Sequence, residues 1–420
     1  MSFDGSTWGR RVLLTGLSPV STISAFVALV DLSNIPDEAI DTGAFSALNG
    51  GGDLRFSTDE DGVNQLPLDD VTFVTSSNPA SRKCQLWIRF PTYSSTSRQV
   101  YMFYNKAGEV QPPTGSPFGR DEVHQDFALV LHLESFSNPI DSTGNAIMSD
   151  VGTPVGTIGK IEDGASLTTS GYLTTDISQF DFTNGYSVSF WADMTDIGPL
   201  GPIIALNLPL FSIVNSNTPG EGRLFHNSIA VQILNFTSAF TIGTLKKYDL
   251  VWDETDGSFV IYSNGVLTSA SATLITPPIA SPNCFIFRRT TRRINADILD
   301  EYTFRNGKKS QAYVSSGFDN QNSPAIFWIT GTPTTPGGIP VGLICFIGMT
   351  SEIDSENIGM DSSIDSDNIG MESNISATIG FISNIDENLG AISAIDAQNT
   401  GMISVIDDSK IGMVSDLCQF

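Results

Sequence analysis

The chain is 420 residues long, carries a formal net charge of −25, and only 16% of its residues are charged. That length exceeds what one hydrophobic core commonly covers, so two or three domains are expected, and the acidity excludes nucleic acid or an anionic membrane as the main partner because both repel negative surfaces. With 38 Gly, 21 Pro and 26 Phe, and short apolar runs between turn residues, the composition predicts an all-β chain of strands and tight turns.

In chain order, Arg11–Thr15, Ala25–Val30, Leu54–Ser57, Gln85–Phe90 and Val100–Asn105 are strand-like runs. Turn clusters lie at Asn34–Asp37 and Asn49–Asp53. Gln85-Leu86-Trp87-Ile88-Arg89-Phe90 alternates polar and apolar residues, as a strand with one covered face does. Residues 1–120 are therefore expected to form an N-terminal β-sandwich, ended by the Pro112–Pro117 linker. The apolar stretch Val12–Leu32 lacks a basic leader and is broken by Gly16 and Pro19. It reads neither as an export signal nor as a bilayer span.

Residues 121–332 are expected to form a second sandwich of two antiparallel sheets. Its strands are expected at Phe127–Leu133, Tyr186–Ala192, Ser228–Leu234, Tyr248–Trp252, Ser258–Ser263, Cys284–Arg288 and Asp300–Phe304. Asn264-Gly265 between two such runs predicts a type I′ hairpin, because both residues tolerate positive φ. The basic run Arg288-Arg289-Thr290-Thr291-Arg292-Arg293 reads as a solvated strand-turn-strand edge, with a polyanion contact as the competing reading. Loops near 141–164, 196–222 and 275–283 are the candidate binding rims, and no single binding residue is nominated.

Several motifs carry a family resemblance. Trp8-Gly9-Arg10-Arg11, Gly43–Ser46, Gly52–Phe56 and Leu86-Trp87-Ile88 resemble an uncharacterised β domain of bacterial surface and phage proteins. His132-Leu133-Glu134 with Asp141–Asn145 is similar to the opening motif of a laminin-G-like, concanavalin-type sandwich. Tyr186–Trp191 resembles its central strand, and Leu299–Glu301 with Asp319–Pro324 resembles its exit. The resemblance implies two sandwiches in tandem and ligand binding, often of sugars and sometimes with calcium, at loop rims or a concave sheet.

After a linker at 333–346, residues 347–420 form a repeat. Glycine recurs at 348, 359, 370, 380, 390, 401 and 412, with serine three residues after every one. Positions −1, +1, +3 and +5 around each glycine are dominated by Ile, Met, Ser and Ile, a period of two that predicts strands. A helix with the same period would have to absorb seven glycines and many β-branched residues at about 0.5–1 kcal/mol each. The later strands are apolar on both faces, which suits burial against sister chains, so an oligomerisation or anchoring region, with a homotrimer favoured, is expected. Asp354, Asp365, Asp386, Asp396 and Asp407 line the turns. They offer calcium-type oxygens but lack the ligand density of a calcium-binding repeat, so solvated turns and no cofactor are expected.

The chemistry of an enzyme is not legible in this chain. Cys84, Cys284, Cys345 and Cys418 form no C-x-x-C pair, and isolated thiols are expected. His124, His132 and His226 show no spacing that suggests convergence, so no metal site is expected and His132 reads as a core residue. No G-x-S-x-G elbow or phosphate-binding glycine loop occurs. Asp300 and Glu301 are adjacent on a strand and point to opposite faces, which disfavours the paired carboxylates of glycoside hydrolysis. No catalytic residue is assigned. The features together lead to the expectation of a tailed-phage virion protein, a tail fibre, collar or head-decoration component, with other virion proteins and host-surface carbohydrate as partners. A bacterial cell-surface adhesin or carbohydrate-binding protein is the alternative.

Overall fold

A computed structural model describes residues 3–336 except 135–138, 146, 152–154, 168–171, 177–182, 198–201, 207–210, 216–221, 227–231, 237–239, 272–282, 287 and 290–291. It also describes 380–382, 390–392, 401–403 and 412–414, and for these and several strands of the second region the backbone alone. The chain is an all-β protein that divides into two compact units, residues 1–336 and 337–420.

The first sandwich uses β1 (Arg10–Gly16), β2 (Ile23–Asp31), β3 (Arg55–Ser57), β4 (Gln65–Leu66), β5 (Leu68–Val74), β6 (Lys83–Tyr93) and β7 (Gln99–Tyr104), with a one-turn helix α1 (Asp37–Ile40). The five expected runs all become strands. The two-residue β4 and the seven-residue β5 were not foreseen, because Pro67 and the acidic Asp69-Asp70 interrupt the apolar pattern. A short helix, α2 (Arg120–Val123), leads into the second sandwich. Its strands are β8 (Phe127–Leu131), β9 (Ile147–Val151), β10 (Val155–Ile158), β11 (Asp163–Leu167), β12 (Tyr172–Asp176), β13 (Tyr186–Ile197), β14 (Pro202–Leu206), β15 (Phe211–Asn215), β16 (Gly222–His226), β17 (Gln232–Phe236), β18 (Lys246–Trp252), β19 (Phe259–Ser263), β20 (Val266–Ser271), β21 (Asn283–Ile286), β22 (Arg288–Arg289) and β23 (Arg292–Asn306). One sheet runs β10-β11-β23-β13-β18-β19-β20, with β8 and β22 also on β23, and the other runs β17-β16-β15-β14-β21-β12-β9. The β19–β20 turn has φ of 51° at Asn264 and 75° at Gly265, as a type I′ turn requires. In the basic run, β22 pairs antiparallel with β23, Arg288 with Arg293 and Arg289 with Arg292, and the two residues between them lie outside the described residues.

The chain then returns to the first sandwich. Helix α3 (Gln311–Asn322), α4 (Pro324–Phe327) and β24 (Trp328–Thr330) follow β23. β24 adds to β1 at the edge of the sheet β24-β1-β7-β3-β4, and Thr334 extends that edge by a backbone bridge to Arg11. Tyr313, Phe327 and Trp328 sit in the same core cluster as Phe26, Phe90 and Tyr93. The boundary expected at 332, and the linker from 333, therefore need correction: residues from about 311 to 334 serve the first sandwich. The apolar residues Phe327-Trp328 fill a gap that the first 120 residues leave open, and burial decides their address.

The sheet β2-β6-β5 is covered on both faces. Phe26, Ala28, Val30, Leu86, Ile88 and Phe90 face the first core. Val27, Leu29 and Trp87 face outward, onto Val123, Phe127 and Val130 of the second sandwich. The alternation at Gln85–Phe90 thus separates two buried environments, where one wet face was expected. In the second unit β25 (Gly380–Ile382), β26 (Gly390–Ile392), β27 (Gly401–Ile403) and β28 (Gly412–Val414) each begin on a repeat glycine. β25 pairs with β27 and β26 with β28, in parallel and glycine on glycine. Alternate repeats are thus joined, where a meander would join neighbours in antiparallel. The earlier repeats, the turn aspartates, Cys345 and Cys418 lie outside the described residues.

Candidate functional site

The seam between the sandwiches is lined by the outward members of strands whose other members fill the cores. On β13, Tyr186, Val188 and Phe190 are buried and so are Ser187, Ser189 and Trp191 between them. A polar side chain at such a position costs stability unless it is paired, and here most find partners. Gln85 Nε2 donates to Glu301 Oε1 at 2.5 Å, and Glu301 Oε2 lies 2.8 Å from His132 Nδ1. His124 Nε2 is 2.8 Å and His132 Nε2 3.5 Å from the same Asp69 oxygen, Oδ2. Trp87 stacks on the His132 ring with centroids 5.3 Å apart. Arg89 and Arg305 both reach Asp126, at 3.0 and 3.2 Å.

His124 and His132 therefore do converge, contrary to expectation. His124 ends α2 and His132 follows β8, so the turn between them folds the chain back on itself. The third member, Asp69, comes from β5 of the other sandwich, which local spacing cannot reveal. His132 is a buried residue, as expected, but it is held by carboxylates. His226 lies on β16, where only the backbone is described. Asp300 and Glu301 do part to different partners: Asp300 Oδ2 accepts from the backbone N–H of Lys160 and Ile161 at 2.8 Å each. A bulge causes this, since Glu301 and Tyr302 together oppose Phe190, and Glu301 takes φ 50°. An extra residue in a strand re-aims its side chain.

Electrostatics in the seam follow from burial and pairing. Burial pulls the His132 ring down, but Glu301 and Asp69 outweigh it and hold its pKa at about 10. For His124, burial outweighs Asp69 and lowers it. Burial raises Asp69, yet the two histidines prevail and keep it well below the usual carboxylate range. Deeper in the seam, burial lowers Lys309 to about 7 more than Asp249 restores it. Lys247 and Lys309 lie 3.6 and 3.4 Å from Asp249, which Ser189 Oγ also contacts.

One side of the seam opens into a cleft of about 260 Å3. Its walls are Leu68–Val71 of β5, Gln111, Pro112, Thr114 and Arg120 of the inter-sandwich segment, and His132–Glu134, Ile140 and Ser142 of the second sandwich. Asp70 is pushed up to about 7 by burial, although Gln111 Nε2 donates to it at 2.6 Å. Burial and then Asp163, Glu301 and Glu162 push Glu134 to about 7. Asp141 fixes the far wall: Oδ1 accepts from the backbone N–H of Val130 and Thr143, and Oδ2 from Asn145 N–H. This is the structural reason for the Asp141–Asn145 motif. Of the three candidate rims, only the 141–164 loop contributes described side chains here. The 196–222 and 275–283 rims lie outside the side chains described. Cys84 is a buried free thiol.

No protein-family model matches the chain. No curated protein matches it. Among solved structures, the binding domain of botulinum neurotoxin DC, in complex with rat synaptotagmin II, is similar at 14% identity over 47% of this chain and 52% of that chain, with a TM-score of 0.38. A structure of botulinum neurotoxin type C, whose cell entry depends on interaction with two ganglioside molecules, gives 16% identity, 48% and 52% coverage and a TM-score of 0.38. Domain 4 of AbnA, a GH43 arabinanase from Geobacillus stearothermophilus, in complex with arabinotriose, gives 17% identity, 45% and 97% coverage and 0.39. This chain spans about half the length of the toxin domains it matches. Likenesses this distant carry no functional argument.

Proposed function

We propose that the chain is a non-catalytic attachment protein that holds one sugar residue of a host-surface glycan in the cleft between its sandwiches. We place it on a tailed-phage virion, as a tail fibre, collar or head-decoration protein. The observation that carries the binding role is the chemistry of the cleft. Asp70, Glu134, Gln111, Thr114, Arg120 and Ser142 present hydroxyl-matching donors and acceptors, while Val71, Pro112, Leu133 and Ile140 offer apolar surface to the C–H faces of a ring. Its size lies below the ~300–1,000 Å3 of pockets for drug-sized ligands, which suits a single sugar ring better than an oligosaccharide. The particle role draws on the repeats. Strands align in register two repeats apart, a pairing that further repeats from sister chains would extend, and a homotrimer is the assembly we favour.

A glycan array probed with the full chain tests the binding role. Hits should weaken at least about tenfold in Arg120→Ala and Asp70→Asn, because hydrogen bonds to charged groups contribute about 1.5–3 kcal/mol. Silence across neutral, acidic and sialylated glycans would refute it. Mass spectrometry of purified phage particles tests the location, and recovery in a bacterial wall fraction would place the chain on a cell surface instead. Sedimentation of the full chain and of residues 1–336 tests the assembly, since a monomer in both cases would end it.

A further inference from the structure

We propose that Asp69, His124 and His132 form a site for a divalent transition-metal cation, zinc by donor chemistry, which staples the first sandwich to the second. Each residue offers one ligand atom, and all three atoms lie within 4.8 Å of one another among buried side chains. Two imidazole nitrogens and one carboxylate oxygen are the donor set that zinc takes. Tetrahedral bonds of ~2.0–2.1 Å place ligand atoms about 3.3 Å apart. The His132–Asp69 edge of 3.5 Å already fits, and the His124–Asp69 edge of 2.8 Å needs to open by about half an ångström.

Independent features point to the same place. His132 Nε2 is buried and has no hydrogen-bond partner, although it faces Asp69. Behind that ring Nδ1 meets Glu301, and Gln85 holds Glu301 in turn. A carboxylate on the far nitrogen is how proteins fix a metal-binding imidazole. An ion bound to Nε2 displaces the proton His132 otherwise carries. With both imidazoles neutral, Asp69 and Glu301 leave two negative charges, at side-chain exposures of 5% and 2%, for a divalent cation to balance. Asp69 and His132 also line the cleft, which gives an ion its way in. Three protein donors leave a fourth position for water or a ligand group. The alternative is a closed hydrogen-bond network that needs no ion. His124 Nδ1 has no partner behind it, so micromolar affinity is expected in place of the tighter binding of fully supported sites. The inference is independent of the carbohydrate reading.

The test is a zinc titration of EDTA-stripped, desalted full-length protein by calorimetry, with thermal unfolding at each metal level. One equivalent should bind with a micromolar Kd and raise the midpoint by several degrees at a hundredfold excess over Kd. Cobalt should give the visible bands of a tetrahedral site. Glu301→Gln should weaken binding about 10–100-fold, and His124→Gln or His132→Gln should abolish it while circular dichroism confirms their fold. If the wild type binds no equivalent of zinc, the proposal fails without reference to any variant. If binding persists undiminished in the folded His132→Gln protein, the ion sits elsewhere on the chain and the proposal likewise fails.

Discussion

Replacing Trp328 by alanine removes the residue that most directly ties the returning segment to the first sandwich. Trp328 is 2% exposed, and its ring lies 5.1 Å from Phe327 and 6.3 Å from Phe90 between centroids. Its Nε1 donates to the Leu29 carbonyl at 2.7 Å, which also accepts from Asn320 at 2.9 Å and so would keep a partner. The cost is therefore mainly the lost burial and the cavity, about 3–5 kcal/mol for a core Trp→Ala. Against a total stability of ~5–15 kcal/mol this is a large fraction. With a urea m-value of about 2–3 kcal/mol/M, the midpoint should fall by about 1–2.5 M. Urea unfolding of the full chain followed by far-UV circular dichroism measures it. Ile329→Ala, at a residue 65% exposed on the same strand, should move stability by no more than about 0.5 kcal/mol. A midpoint unchanged in Trp328→Ala, or a fragment ending at residue 310 that unfolds like the intact chain, would refute the role given to this segment.

Asn320→Leu should cost about 2–4 kcal/mol by equilibrium unfolding, because the amide both accepts from Leu29 N–H at 2.7 Å and donates to Leu29 O, and its loss strands a buried N–H. Lys309 gives a pH signature. Its folded pKa of about 7 lies below the ordinary 10.5, so between those values the unfolded chain binds the extra proton and stability rises with pH. Lys309→Met should flatten that rise, worth a few kcal/mol at most, when unfolding free energies at pH 7 and 9.5 are compared with wild type. Equal slopes in the two proteins would contradict the assignment. Gly265→Ala should lower stability by about 1–2 kcal/mol, since φ is +75° and a Cβ would stand 3.1 Å from Phe318 Cβ. An unchanged melting temperature would exclude the strain.

Individual strands were readable because their cause is local. Arg11–Thr15 and Val100–Asn105 carry their period in adjacent residues, and Asn264-Gly265 states its turn in two letters. What lies on the other side of a strand is not local. Gln85 and Arg89 read as wet because they are polar, yet a second sandwich supplies Glu301 and Asp126 to satisfy them. The site shows the same division. Asp141–Asn145 was visible as a motif since its hydrogen bonds stay largely within five residues, apart from two to Val130. Asp69 meets His124 and His132 from 55 and 63 residues away, and no pattern in either stretch announces the other. Helix α3 was missed because its apolar and polar residues are mixed, with Ala312, Tyr313, Val314, Ser316, Gly317 and Asn320 all buried. Its wet stripe, Gln311, Asp319 and Asn322, is narrow, and the polar Ser316 and Asn320 on the buried side blur the period that would announce a helix.

The edge of β2 has a consequence for synthesis. Val27 N–H and both backbone groups of Leu29 are satisfied by Tyr313 and Asn320, and Asn320 lies 291 residues further along the chain. At ~5–20 residues per second, a ribosome needs about 15–60 s to make that residue after making Leu29. For that interval a nascent strand displays unpaired amides to every neighbouring polypeptide on the polysome. The rate of translation, and the crowding of polysomes making this one chain, thereby set how much of it is captured edge to edge before its own helix arrives.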